Sequence, residues 1–180
     1  MDLYIIRHGE SQGNIGFDVE DPKLTELGEK QAELLALRLR NIKFDAILSS
    51  PLTRAIQTAT PLSELQNKPI TIIHSLHEVG AFGDESPEDV QSRAKDVVAE
   101  IREKYGDKEN VIAFAHGTFN NHFIKAACGI TSGDDFNFCQ ENTGVTIVRF
   151  IIDNGQPRIK LELANCGKHL EKLDFISRNS

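Results

Sequence analysis

A chain of 180 residues that is 39% hydrophobic and 26% charged has the composition of a soluble globular protein, and one domain over residues 1–180 with a sizeable core is expected. No window is apolar for the length a membrane helix needs, and the N-terminus lacks a basic-then-apolar leader, so no membrane partner is expected. A formal net charge of −7 disfavours nucleic acid as a partner. Cys128, Cys139 and Cys166 are an odd number without metal-like spacing, which favours reduced thiols, read as buried small hydrophobes, in the cytoplasm.

The chain opens on Leu3–Tyr4–Ile5–Ile6, an apolar run too short for three helical turns and therefore a buried strand, which stops at Arg7, His8 and Gly9. Residues 12–16 and the acidic stretch ending at Pro22 read as loop. Thr25 opens a helical period carried by Ala32, Leu35, Ala36 and Leu39. Phe44–Leu48 reads as a second strand, closing at Ser49–Ser50–Pro51. Leu52, Ala55, Ile56 and Ala59 restart the helical period, and Pro61 is expected to kink or divide that helix. Ile70–Ile73 is a third strand, and His74–Glu85, aperiodic with two glycines, a loop.

Ser86 with Asp89 makes a capping-box start, Pro87 suits the first helical position, and Val90, Ala94, Val97, Val98, Ile101 and Tyr105 form one apolar stripe. Gly106 is the expected stop. Val111–Ala115 is a fourth strand ending at His116–Gly117, followed by a helix from about Thr118 to Cys128 stopped by Gly129. Val145–Ile152 and Arg158–Leu163 flank Asp153–Asn154–Gly155, a hairpin signal, and the stretch from Ala164 is polar, its end expected to be loose. Strands alternating with helices imply an α/β fold, a mostly parallel sheet covered on both faces, with an antiparallel element at the C-terminus.

Two apolar strands that each end in His-Gly suggest one site, because open α/β sheets bind ligands outside the carboxyl ends of their strands. Phosphate monoesters hydrolyse extremely slowly unaided, so a site must supply both an activated nucleophile and charge stabilisation. A neutral histidine serves as nucleophile when its other ring nitrogen is held as a donor, the leaving alkoxide needs an acid, and the phosphoryl oxygens need cations. His8, His116, Arg7, Arg54 and Glu78 are candidates, with Asp84 or Glu85 competing for the acid's role. Gly117 and Thr118 begin a helix whose free N–H groups suit an anion. A cation at about 4 Å is worth roughly 4 kcal/mol at an effective dielectric of 20, whereas charges beyond the Debye length of about 8 Å are screened, so the negative net charge is no obstacle.

Arg7–His8–Gly9–Glu10–Ser11 with Asn14 resembles the signature of the histidine phosphatase superfamily, the phosphoglycerate mutase-like proteins. Leu24–Gly28 with Gln31–Ala32, Ser49–Ala55 with Thr58–Ala59, Leu76–His77–Glu78 with Phe82–Gly83, and Ala115–His116–Gly117 resemble further family motifs in the family's order, over roughly residues 3 to 118. The resemblance implies a three-layer α/β/α sandwich around a six-stranded mixed sheet, and a phosphohistidine intermediate formed without metal or nucleotide. It implies that His8 attacks phosphorus, that Arg7, Arg54 and His116 hold the phosphoryl oxygens, and that Glu78 protonates the leaving group and then activates water. Asn14 and the Gly117 backbone would help bind the phosphate, beside which His116 is expected to be cationic.

Three features depart from the family's pattern: a short segment between Glu78 and Ser86, no Trp, and Thr118–Phe119–Asn120–Asn121 after the second histidine. Glu10 reads as a loop or helix-start carboxylate, Phe119 and Phe123 as core. His74, His77, His122 and His169 are expected at the surface or rim, His77 being the one to touch substrate. The leading expectation is a phosphomonoesterase acting on a small phosphorylated metabolite or a phosphoprotein. The alternatives are a phosphoglycerate-type mutase, against which the short lid argues because retaining an intermediate requires enclosure, and a phosphate- or phosphopeptide-binding module without turnover.

Overall fold

A computed structural model of the chain describes residues 1–130, 136–171 and 173. Ten principal elements follow in order: β1 (Asp2–Arg7), α1 (Glu26–Leu39), β2 (Ala46–Ser49), α2 (Thr53–Gln66), β3 (Ile70–Ile72), α3 (Pro87–Tyr105), β4 (Asn110–Ala115), α4 (Gly117–Cys128), β5 (Val145–Asp153) and β6 (Gln156–Cys166). The strands form one six-stranded sheet in the order β3-β2-β4-β1-β5-β6. β1, β2, β3 and β4 run parallel; β5 and β6 are antiparallel additions, as the hairpin signal implied.

Alternation along β1 sorts the core into two layers. Leu3 and Ile5 join the apolar stripe of α3 and the inner face of α4, with Phe119 and Phe123. Tyr4 and Ile6 join Leu35 and Leu39 of α1 and Ala55, Ala59 and Leu62 of α2. Helices therefore cover both faces, α1 packed on α2 and α3 on α4. β1 and β4 are neighbours, but the chain leaving β1 goes to one face and the chain leaving β4 to the other. Such a divergence opens a crevice at the carboxyl ends of the strands.

Local signals act largely as read. Ser86 accepts the Asp89 N–H at 3.2 Å while Asp89 accepts the Ser86 N–H at 3.1 Å, completing the capping box of α3. Asn154 and Gly155 both have positive φ, 50° and 75°, the conformation that a two-residue hairpin turn demands. Gly28 lies where a Cβ would come 2.0 Å from the Glu10 carbonyl oxygen, so α1 can approach the loop after β1 only with glycine there.

Several expectations are corrected. α2 runs through Pro61 to Gln66, so Pro61 does not divide it. Gly106 does stop α3, as expected, with a right-handed φ of −63°. The polar stretch from Ala164 begins inside β6, which continues to Cys166 and is followed by a 3-10 turn, Lys168–Leu170; the end expected to be loose lies outside the described residues. His169 in that turn is buried, because Arg38 and Thr143 satisfy both its ring nitrogens. No cysteine is fully buried, and Cys139 is exposed. Among the described residues no helix is long and apolar enough to cross a membrane.

Candidate active site

Parallel pairing of β1 with β4 sets Arg7 opposite Ala115, so the next residue of each strand is a histidine, and the His8 N–H donates to the Ala115 carbonyl at 3.0 Å. The two imidazoles stand with centroids 5.2 Å apart, both buried. β2 ends beside them, with the Ser50 N–H bonded to the Phe114 carbonyl.

His8 Nδ1 lies 2.7 Å from the Gly9 carbonyl, which can only accept, so the proton is on Nδ1 and Nε2 carries the lone pair. Arg54 Nε–H donates to that nitrogen at 3.2 Å. Burial, then the Arg54 and Arg7 charges, push His8 down to about 3, against the opposing pull of the Gly9 bond. Its neutral, nucleophilic form is therefore the resting form at neutral pH. The Ser50 hydroxyl oxygen accepts the Leu52 N–H at 3.3 Å and lies 2.7 Å from His116 Nε2. Which of the two atoms donates in that bond depends on the His116 tautomer. Burial first, then Arg54 and His8, lower His116 well below the usual histidine value. Its surroundings thus favour the neutral form, and the cationic state expected beside phosphate requires the anion to offset that burial.

Two buried polar atoms at this spot, His116 Nδ1 and Arg7 Nε, have no partner among the described residues. An unpaired buried donor is costly, and the Arg7 Nε–H suits an anion. Arg7 is aimed by its Nη1 bond to the Gln140 carbonyl at 2.7 Å and passes over Gly117, where a Cβ would come 3.2 Å from Nε. Arg54, at the first turn of α2, is braced by Asp21, 3.9 Å away, whose carboxylate also accepts the Thr53 N–H at 3.0 Å.

Arg7, His8, Ser11, Asn14, Arg54 and Glu78 line a cavity of about 300 Å³. A wider groove of about 970 Å³ between α3 and the β5–β6 hairpin contains no histidine, so volume does not mark the chemistry. Glu78 accepts N–H bonds at Oε1 from Val79 and Phe119, each 2.9 Å, and at Oε2 from Thr118 at 3.3 Å. It thereby occupies the helix N-terminus where sequence reasoning put the phosphate. Of the first three N–H groups of α4, Gly117's has no partner among the described residues. Of the competing acids, Glu85 is locked by Arg93 at 2.7 and 2.8 Å and neither it nor Asp84 lines the cavity.

Asn14 lines the cavity while its Oδ1 accepts from the Ser11 N–H and hydroxyl. Thr118 and Gly117 line an adjoining cavity. His77 lines neither: its ring packs edge-on against Phe82, and its Nδ1 lies 2.9 Å from the Glu78 carbonyl. Glu10 accepts from the Thr25 hydroxyl at the start of α1. Among the described residues no group of three or more His, Cys, Asp or Glu is placed to hold a metal ion.

Sequence reasoning missed the loop behind the nucleophile. Gln140 is buried and donates to the Ile5 carbonyl and the Thr146 hydroxyl, and Asn142 donates to the His8 carbonyl at 2.9 Å. Thr143, at a left-handed φ of 56°, gives its N–H to the Arg7 carbonyl, and its hydroxyl donates to the Asn142 carbonyl. Arg38 donates to His169 Nδ1, so His169 Nε2–H donates to the Thr143 hydroxyl at 2.9 Å. No local pattern marks these residues; the positive φ at a β-branched residue is visible only in coordinates.

The profile of the histidine phosphatase superfamily (branch 1) matches residues 3–84 and 77–163. The chain belongs to the histidine phosphatase superfamily. Among its relatives is phosphoserine phosphatase 1 of Hydrogenobacter thermophilus, 27% identical over 81% of this chain and 85% of that protein. The adenosylcobalamin/alpha-ribazole phosphatase of Escherichia coli is 40% identical over 47% of this chain and 42% of its own length. A mycobacterial glucosyl-3-phosphoglycerate phosphatase solved with VO3 has the same fold, with a TM-score of 0.78 at 23% identity over 92% of this chain and 99% of that one. As in that fold, this histidine phosphatase surrounds a mixed six-stranded sheet with four principal helices.

Proposed function

We propose that this phosphomonoester hydrolase of the histidine phosphatase family works through a phosphohistidine on His8, needing neither metal nor nucleotide, as one catalytic unit over residues 1–180. The observation that carries the reading is the His8 ring: its Gly9 bond fixes the tautomer, burial keeps it neutral, and Arg7 and Arg54 flank it. An incoming phosphoryl oxygen competes for the Arg54 Nε–H and frees the Nε2 lone pair. Nε2 then bonds to phosphorus as the ester P–O bond breaks, while Arg7 Nε, His116 Nδ1, Asn14 and the Gly117 N–H take the phosphoryl oxygens. Protonated Glu78 gives its proton to the departing oxygen from Oε2, the oxygen with the longer bond. Water attacks the phosphohistidine, Glu78 takes its proton, and P–N cleavage releases phosphate and restores neutral His8.

The substrate is a small phosphorylated metabolite, in keeping with the phosphoserine and alpha-ribazole phosphatases among the relatives. Three free thiols fit a reducing, cytoplasmic setting. Hydrolysis of p-nitrophenyl phosphate with chelator present tests the reading. Undiminished turnover in chelator and a loss on the order of 10³-fold or more in His8→Ala are expected. Activity that chelator removes, or that His8→Ala keeps, overturns it.

A further inference from the structure

Two cavities meet at Glu78. The one that contains His8 and the one beyond it share Arg7, Asn14 and Glu78 as a common wall. The outer cavity, of about 550 Å³, takes its remaining described polar lining from Thr118, Asn121, Asn137 and Gln140, with Phe138 as an apolar wall. If the phosphoryl group sits against His8, as proposed above, an acid on the shared wall protonates an oxygen whose carbon skeleton extends into this second space.

Apart from the shared Arg7 and Glu78, its described walls are uncharged and rich in hydrogen-bonding groups. Asn121 takes the Phe138 N–H on Oδ1 at 2.9 Å and donates to Asn137 Oδ1 at 3.1 Å. That fixes the orientation of both amides and turns the Asn137 amide nitrogen to outside use. Among the described residues the Thr118 hydroxyl and the Asn14 and Asn137 NH₂ groups have no protein acceptor. Hydroxyls and amides each match an alcohol, which both donates and accepts. Charge points the same way. Among the described residues lining the outer cavity the only charged side chains are Arg7 and Glu78, both shared with the cavity that contains His8, while Arg54 and Glu20 line that inner cavity alone. A carboxylate on the substrate would find no cation in the outer cavity other than Arg7, which the phosphoryl group also uses.

We propose that the leaving group of this site is an uncharged, polyhydroxylated alcohol, so that the substrate is a polyol or sugar monophosphate whose only anionic group is the phosphoryl.

Two isosteric pairs test this with the full-length protein: glycerol 3-phosphate against 3-phosphoglycerate, and sorbitol 6-phosphate against 6-phosphogluconate. Within each pair a CH₂OH replaces a carboxylate. The expected result is a kcat/KM at least about tenfold higher for the alcohol in one or both pairs. Asn137→Lys, which supplies a cation to the outer cavity, is expected to move that ratio toward the carboxylate by about tenfold. Equal or reversed ratios, or turnover confined to p-nitrophenyl phosphate, overturn the substrate assignment while leaving the phosphohistidine reading intact. Absence of turnover on p-nitrophenyl phosphate as well overturns both.

Discussion

At the scale of single residues, the protein keeps a histidine neutral by burying it and then supplies cations for the charge that arrives with substrate. His8 is lowered to about 3, so in kcat/KM, which reports the free enzyme, no acid limb from His8 is expected near the ordinary histidine value of 6.5. After correction for the substrate's own second ionisation, a kcat/KM profile level from pH 7 to pH 5 bears this out; a histidine-like limb near 6.5 that disappears in His8→Ala contradicts it. Arg54→Ala removes both a phosphoryl donor and the bond to Nε2, and a loss of about 10²–10³ in kcat is expected. His169 acts through Thr143 and Asn142 on the His8 backbone, which makes it a positioning residue. In His169→Ala, kcat is expected to fall about tenfold or more with KM little changed, and His169→Gln, which retains donor and acceptor, to restore most of it. Equal losses in both variants, or a change in KM alone, count against that role. The histidines and arginines were legible in the sequence because each closes a strand or opens a helix. His169 reads in the sequence as a surface or rim residue because nothing near it in the chain reveals Arg38 or Thr143.

Among elements, the register of β1 on β4 brings the histidines together, and close backbone approaches hold the loops around them. Gly28→Ala would drive a methyl group into the Glu10 carbonyl, and a loss of about 3 kcal/mol, the upper end for overpacking, is expected in urea unfolding. Ser86→Ala removes one half of the α3 capping box, lines neither cavity, and should cost about 1 kcal/mol with turnover unchanged. Strand and helix identities were readable from hydrophobic period and turn residues. Their ends were less so. Pro61 looked like a break because its missing N–H is a local fact, whereas the packing of Ala55, Ala59 and Leu62 that keeps α2 whole is a tertiary one. The N-terminus of α4 reads locally as an anion site, but Glu78, from a distant loop, takes its Thr118 and Phe119 N–H groups and leaves that of Gly117.

For the whole molecule, three buried histidines link folding to pH. His8, His116 and His169 all have values lowered in the fold, chiefly by burial, His169 to about 4. Each is ordinary, near 6.5, when unfolded. The unfolded chain therefore binds protons that the folded one refuses, and stability present above about pH 6.5 is lost as pH falls toward the folded values. The slope is at most about 1.4 kcal/mol per pH unit for each histidine. Urea unfolding at pH 7, 6 and 5 should show progressive loss, less steep in His169→Gln; a flat profile over that window contradicts the burial of these rings.

The most direct measurement is a rapid-quench experiment under alkaline conditions, with peptide mapping of the protein caught during turnover of p-nitrophenyl phosphate. A single base-stable, acid-labile phosphoryl group on the peptide that carries His8 is expected, and none on the His8→Ala protein. A phosphoryl group on any other residue, or steady turnover in which His8 never carries one, contradicts the mechanism.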